Sequence, residues 1–267
     1  MDCPYHRLMT CLRSHALALI VLRDADEKAL ALRQWPEHLV LDKQARWSEP
    51  EGLPGRSDRP RLLPPREVPQ RAVGSPEGRA GLIHALAHIE CNAMDLALDV
   101  IWRFPAMPEN FYHDWLKVAR EEALHFSLLH EHLQAMGYRY GDFDAHEGLW
   151  DMARRTQDDL LARLAVVPRV LEARGLDASP AIAHKLRSAG DRRGAEIVEL
   201  ILRDEIGHVA IGNQWFGWLC KQGELDPLAQ QLSLSERYGA PRPRGPFNLS
   251  ARSAAGFTPQ ELAQLAG

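Results

Sequence analysis

The stretch that decides the fold is Phe111-Tyr-His-Asp-Trp-Leu-Lys-Val-Ala-Arg-Glu-Glu-Ala-Leu-His-Phe-Ser-Leu-Leu129. Its stripe residues recur at steps that alternate between 4 and 3, which is the period of a helix buried against neighbours. Two positions of this stripe hold Glu122 and His125 instead of apolar side chains. The sequence therefore predicts a core helix that carries a Glu-x-x-His pair toward the interior.

A second segment repeats this arrangement. Its stripe reads Val198, Ile201, Glu205, His208, Gly212, Trp215 and Leu219. On other apolar helices, Glu90 lies 32 residues before Glu122, and Glu172 lies 33 residues before Glu205. Such a separation is one helix arm, a turn and a returning arm, which brings the two carboxylates of each pair level.

The pattern predicts a dinuclear metal site. Buried Glu and His are costly unless they are paired or metal-bound. Glu and His at i and i+3 share a helix face, roughly 5–6 Å apart at Cβ, so both can ligate one metal ion. Coordination rich in carboxylate and free of thiolate fits iron or manganese and fits structural zinc poorly. The candidate ligands are Glu90, Glu122, His125, Glu172, Glu205 and His208.

A less specific interpretation stays open. About one Glu-x-x-His match is expected by chance in a chain of this composition. Charged neighbours flank Glu122, and Glu172 lies near a predicted helix end beside Arg174. On this interpretation the candidates are surface residues with partners one turn away. Asp95 and Asp204 are further candidates, which could orient ligand histidines through the ring nitrogen that the metal does not use.

Capping residues divide the chain into segments. Ser75-Pro76-Glu77 is typical of a helix start, and that helix is predicted to end near Phe104. Thr258-Pro-Gln-Glu261 predicts a capping box for a short terminal helix. Pro168 predicts a kink or bulge. The remaining predicted elements are a helix or helix pair over 9–34 and helices over 109–137, 147–174, 179–189 and 191–220.

The predicted fold is all-α, because no strand-like alternation of useful length appears. Residues 1–74 are predicted to hold an extra N-terminal helical segment and a long Pro/Arg-rich extended segment across the bundle, with a disordered linker as the alternative. Residues 75–225 are predicted to form a four-helix bundle, and 226–267 a C-terminal tail with a loop and a short helix.

Composition narrows the classes of function. The chain has 267 residues, 45% of them hydrophobic, and a net charge of −4, so it can bury a sizeable core but lacks the basic charge typical of nucleic-acid binding. The early apolar run from Ala16 to Leu22 is too short to span a bilayer. Cys3, Cys11, Cys91 and Cys220 have no ligand-like spacing. Reduced thiols, a cytoplasmic location and no membrane partner are therefore expected.

At these residues the chain resembles the ferritin-like superfamily. More narrowly, it resembles the bacterial family called domain of unknown function 455. The motifs that carry this likeness are His88-Ile-Glu90, Arg120-Glu-Glu-Ala-Leu-His125-Phe, Arg169-Val-Leu-Glu-Ala-Arg-Gly-Leu-Asp177, Arg203-Asp-Glu-Ile-Gly-His-Val-Ala210, Pro-Phe-Asn248 and Ala-Gly-Phe257. The resemblance covers most of the chain and implies a ferritin-like four-helix bundle with two metal ions. It implies relatives among the rubrerythrins and the hydroxylase of tRNA isopentenyladenosine, but no established reaction.

The resulting hypothesis is an oxidoreductase or hydroxylase that activates O2 or peroxide at two iron ions, with manganese as the other metal. Its organic substrate and electron donor are not named by the sequence, and a homodimer stays open. A non-catalytic metal-binding or iron-handling protein is the alternative, and a helical interaction module with a vestigial site is a third. The expected roles are bridging for Glu122 and Glu205, terminal carboxylates for Glu90 and Glu172, and one nitrogen each from His125 and His208.

Overall fold

The computed structural model describes residues 11–69 and 71–266. Within these ranges every regular element is a helix, and β pairing is limited to isolated bridges at Cys11–Val40 and Leu62–Ala145. The all-α prediction is therefore confirmed. The chain separates into two compact units, the first up to Glu147 and the second from Gly148 onward.

The first unit is built on a helix hairpin. Its helices are α1 (Leu12–Ile20), α2 (Ala25–Arg33), α3 (Pro76–Arg103) and α4 (Glu109–Ala135). A short connection joins α3 to α4, so the two pack antiparallel, with α1 against α3 and α2 against α4. The helix pair predicted near the N-terminus is confirmed from residue 11 onward, and residues 9 and 10 lie outside the described ranges.

Local signals account for the ends of the α3–α4 hairpin. The Ser75 hydroxyl accepts a hydrogen bond from the Gly78 amide at 3.0 Å, and Pro76 occupies the first helical position. Gly137 follows α4 with a φ of 86°, a conformation that favours glycine and ends a helix. The predicted start of α3 and end of α4 are confirmed.

The segment between α2 and α3 packs onto the hairpin. Its anchor is Arg13, which is buried on α1. The guanidinium donates to the carbonyls of Ile101 and Trp102, at 3.1 and 2.6 Å, and to three carbonyls within 42–45. The last carbonyls of a helix lack partners inside it. One buried cation therefore ties α1 and the extended segment to the end of α3.

The second unit also contains a long hairpin, but one arm is irregular. Its elements are α5 (Gly148–Arg155), α6 (Leu160–Val166), a π-helical segment (Val167–Glu172), α7 (Ala173–Ser188), α8 (Arg192–Gln222), α9 (Pro227–Arg237), α10 (Leu249–Ala254) and α11 (Pro259–Ala266). The continuous helix predicted over 147–174 is wrong, since the chain turns between Arg155 and Leu160. The helix start predicted at Ser179 is also wrong, because Ser179 and Pro180 lie inside α7.

The bulge predicted at Pro168 is confirmed as the π-helical segment. Proline has no amide proton, and its ring collides with the carbonyl four residues earlier in an α-helix, so a wider turn relieves the contact. This turn lies against α8 at Gly212, where an added Cβ would come within 2.5 Å of the Pro168 Cβ. Gly212 therefore permits a close approach that no other residue type would.

The C-terminal elements pack back onto the α7–α8 hairpin. Phe257, Ala255 and Ala251 share a buried apolar cluster with Leu176 and Val209. The predicted capping box of α11 is confirmed, since the amide and the hydroxyl of its Thr258 donate to the Glu261 carboxylate at 2.8 and 2.9 Å. Among the described helices, none combines the length and the apolar character that a bilayer crossing requires.

Candidate metal centre

The first unit brings three of the six predicted ligands together. Glu90 on α3 and Glu122 and His125 on α4 are all buried, with 4%, 1% and 0% of their surface exposed. His125 Nδ1 lies 3.3 Å from Glu90 Oε2 and 3.2 Å from Glu122 Oε2. One ligand atom from each residue lies within 4.8 Å of the others. Two carboxylates and an imidazole therefore share one interior point of the hairpin.

The electrostatics of this cluster favour a cation. Burial raises the pKa of the Glu90 carboxyl well above its usual range, and the Glu122 carboxylate raises it further. Burial opposes the charged form of His125, but hydrogen bonds to Glu122 and Glu90 outweigh it and raise the His125 pKa to about 11. Protons thus neutralise carboxylates that a metal ion would otherwise neutralise, and the donor set fits a hard or borderline divalent cation.

The second unit carries the other Glu-x-x-His pair in a looser arrangement. Glu205 and His208 on α8 are buried, and His208 Nδ1 lies 3.6 Å from Glu205 Oε1. Glu172 ends the π-helical segment and is half-buried. Among the described residues of this unit, no three-ligand group includes Glu172. Five candidates are buried, so the interpretation as surface residues is wrong for them. For the half-buried Glu172 that interpretation stays open.

Of the two aspartates proposed to orient a ligand histidine, Asp95 has another role, whereas the role of Asp204 stays a prediction. Asp95 forms a buried ion pair with Lys28 of α2, whose ammonium also donates to the carbonyls of Ile20 and Gly55. That expectation for Asp95 is wrong, because its carboxylate points toward α2 and pairs there with the Lys28 ammonium. The described cysteines, at 11, 91 and 220, are free thiols and belong to no ligand group; Cys3 lies outside the described ranges.

The first unit also contains a hydrogen-bond network of Tyr140 and the buried His88, and sequence reasoning missed the part of Tyr140. The Tyr140 hydroxyl lies 2.8 Å from His88 Nδ1, and His88 Nε2 lies 3.0 Å from the carbonyl of His146. A carbonyl can only accept, so Nε2 carries the proton and Nδ1 accepts from Tyr140. Burial lowers the pKa of His88 to about 3, which agrees with a neutral ring. Tyr140 follows α4 in a loop, where no periodicity marks an inward side chain.

Residues 21–263 match the family described as "Protein of unknown function (DUF455)". The chain belongs to this family. A relative of the DUF455 chain from Haemophilus influenzae, named "Uncharacterized protein", is 45% identical over 240 residues, covering 87% of this chain and 80% of the relative.

No solved structure matches the DUF455 chain. The resemblance to this family is therefore confirmed, and the ferritin-like superfamily stays a prediction. Both Glu-x-x-His pairs, together with Glu90 and Glu172, lie within the residues that match DUF455. The family match thus covers the whole candidate centre without assigning it a reaction.

Proposed function

We propose that the chain is a ferritin-like carboxylate protein that holds two metal ions, preferentially iron, and uses them to activate O2 or peroxide as an oxidoreductase. The observation that carries the proposal is the buried cluster of Glu90, Glu122 and His125, with ligand atoms within 4.8 Å of one another. Three such groups rarely share an apolar interior without a cation or protons between them.

The first metal ion would be held by this cluster. Its carboxylates come from facing helices, so the packing of the α3–α4 hairpin brings them together. The cluster contains no thiolate, which argues against a structural zinc site. Carboxylate and imidazole together suit iron or manganese.

The second metal ion would be held by Glu172, Glu205 and His208. Two features of the sequence support this step: the repeated Glu-x-x-His pair, and the near-equal separations of 32 and 33 residues from the preceding Glu. Four-helix carboxylate proteins use a Glu from each of two helices and a Glu-x-x-His from each of the other two. On this pattern Glu122 and Glu205 would be the carboxylates that the two Glu-x-x-His helices supply.

The side chains would prepare the site in three ways. Burial and mutual repulsion keep a proton on the carboxylate cluster until a cation replaces it. The apolar residues Met94, Phe126 and Leu129, all fully buried on α3 and α4, exclude bulk water from that part of the hairpin. Bound iron would supply the redox chemistry with oxygen species that amino-acid side chains lack.

Elemental analysis of protein purified from iron- and manganese-replete cells tests the proposal. We expect two equivalents of iron or manganese per chain, and loss of both in the Glu122→Ala/Glu205→Ala double variant. The matched control replaces Glu121 and Glu199, which are more exposed carboxylates on the same two helices. Full occupancy in the first double variant, or equal loss in the control, would reject the assignment.

Turnover separates the enzyme from a protein that only handles iron. Oxygen consumption that continues beyond the equivalents of Fe(II) supplied, in the presence of a reductant, supports the oxidoreductase. Oxidation that stops once the supplied Fe(II) is exhausted, with no further oxygen uptake, supports iron handling. Protein that takes up no metal at all leaves only the helical interaction module.

A further inference from the structure

The π-helical segment contains a buried cation that the candidate centre does not use. Arg169 is 7% exposed, although arginine is seldom buried without partners. Its guanidinium lies over the rings of Phe216 and Phe257, at 4.3 and 5.4 Å from their centroids. Nε donates to the Gln231 side chain at 2.7 Å. The partners therefore come from α8, α9 and the segment before α11.

A carboxylate from the C-terminal helix neutralises this cation. Glu261 of α11 forms a largely buried ion pair with Arg169 through Oε1. Its other oxygen, Oε2, accepts hydrogen bonds from the amide and hydroxyl of Thr258. The carboxylate is thus held by its own helix start while it binds the π-helical segment. Charge-assisted hydrogen bonds of this kind are roughly twice as strong as neutral ones.

The same segment makes a second contact with α8. Pro168 lies against Gly212, where no Cβ can be accommodated. The short 189–191 connection makes the two arms of the hairpin antiparallel. One turn beyond Pro168 is Glu172, and one turn before Gly212 is His208. The Pro168–Gly212 contact therefore sets Glu172 at the level of His208.

We propose that Arg169 and Glu261 are positioning residues, and that the C-terminal segment holds the π-helical turn in the conformation that presents Glu172 as a metal ligand. This inference rests on the proposed function. A π-helical turn has poorer hydrogen-bond geometry than an α-helix and persists only where surrounding contacts fix it. Removal of the Glu261 charge should therefore release Glu172 and leave the α3–α4 cluster unchanged.

The test compares Glu261→Gln with Glu236→Gln in the full chain. Glutamine preserves the capping box at Glu261 but removes the charge that binds Arg169. Glu236 is an exposed carboxylate on α9, which makes it a matched control. Anaerobic titration with Fe(II) measures the two binding steps separately. Amide hydrogen exchange of the metal-free protein, followed on peptides that cover 167–172, measures the order of the π-helical turn.

We expect the second Fe(II) equivalent to bind about tenfold more weakly in Glu261→Gln, while the first keeps its affinity. Exchange over 167–172 should become about tenfold faster in the same variant and stay unchanged in the control. Faster exchange with two unchanged affinities would overturn the positioning role, as would equal weakening of both steps. A wild-type protein that binds fewer than two equivalents would overturn the proposed function, and this inference with it.

Discussion

Both units carry a Glu-x-x-His pair on a long helix, but they supply the additional carboxylate differently. In the first unit Glu90 comes from α3, a continuous helix of 28 residues, and lies 3.3 Å from the histidine of its partner helix. In the second unit Glu172 ends a π-helical segment of 6 residues and is half-buried. Regular helix packing is sufficient to assemble the first set. The second set depends on a departure from α geometry that distant contacts must maintain.

The largest expected effect concerns the buried ion pair that holds α2 against α3 in the first unit. Lys28 and Asp95 have side chains only 2% and 1% exposed. Lys28→Met leaves a buried carboxylate without its cation, which should lower the free energy of unfolding by about 3–5 kcal/mol. Urea denaturation at pH 7, followed by circular dichroism, measures the change.

A paired substitution makes this prediction specific. Lys28→Met/Asp95→Leu replaces both charges by apolar groups of similar size and should recover most of the loss, to within about 1 kcal/mol of wild type. If Lys28→Met lowers the free energy of unfolding by less than the double variant does, the stability of the first unit does not depend on this ion pair.

The second expected effect sharpens the contrast between the two ligand sets. Glu122 is fully buried, so no water can replace its oxygen atoms. Glu122→Gln should weaken binding of the first Fe(II) ion by about 3 kcal/mol, which is roughly a hundredfold. This loss is about a quarter of the ~10–16 kcal/mol with which a four-ligand structural zinc site binds its ion. Glu172 is half-buried, and water can take its place. Glu172→Gln should therefore weaken the second step only about tenfold.

Anaerobic Fe(II) titration measures both steps, with Glu121→Gln as the control for the α4 variant. Glu121 lies one residue from Glu122, and its carboxylate is 3.9 Å from the ammonium of Lys117 on the same helix. Equal losses in the Glu122 and Glu172 variants would mean that the two sets are equally preassembled, contrary to the comparison.

A third effect distinguishes the first unit by its response to acid. Burial lowers the pKa of His84 to about 4 and that of His88 to about 3, against an ordinary value near 6.5. Both rings bind protons more readily when the chain is unfolded, so the stability they contribute is present above pH 6.5 and is lost as the pH falls toward 4. Between pH 7 and pH 5 the titration of each ring should lower the free energy of unfolding by about 2 kcal/mol.

Denaturation curves at both pH values check this, with His84→Gln/His88→Gln as the reference. Comparing the two proteins removes the contribution of all other titrating groups. The double variant should lose about 4 kcal/mol less than the wild type over this interval, about 2 kcal/mol for each ring. Parallel losses in the two proteins would show that the rings titrate normally in the folded chain.

The sequence predicts the regular hairpin better than the irregular arm. The start of α3 and the end of α4 follow from caps and glycine, which act within a few residues. The helix start assigned to Ser179-Pro180 fails because the same dipeptide can continue a helix. Ser179 bonds the carbonyl of Gly175 at 2.7 Å, and α7 continues through the proline.

The candidate ligands are also predicted well on the regular helices and poorly on the irregular arm. A stripe of period 3.6 identifies Glu122, His125, Glu205 and His208 as inward-facing, because burial of a helix face is encoded locally. The support of Glu172 is not local, since Arg169 and Glu261 are 92 residues apart. Such a contact leaves no periodic signal in one sequence. The irregular arm is thus the part of the site that sequence reasoning describes least.

The smallest expected effect tests whether the irregular arm is fixed by close packing. In Gly212→Ala the new methyl group would meet Pro168 at 2.5 Å, so the π-helical segment must shift, at a cost of about 1–3 kcal/mol in the free energy of unfolding. Gly217 lies on the same helix with no heavy atom within 4 Å of an added Cβ. Gly217→Ala should therefore stabilise the protein by about 0.5–1 kcal/mol. Opposite signs in thermal denaturation would show that Gly212 is kept for contact with the π-helical turn, whereas two stabilising variants would mean that this turn is free to adjust.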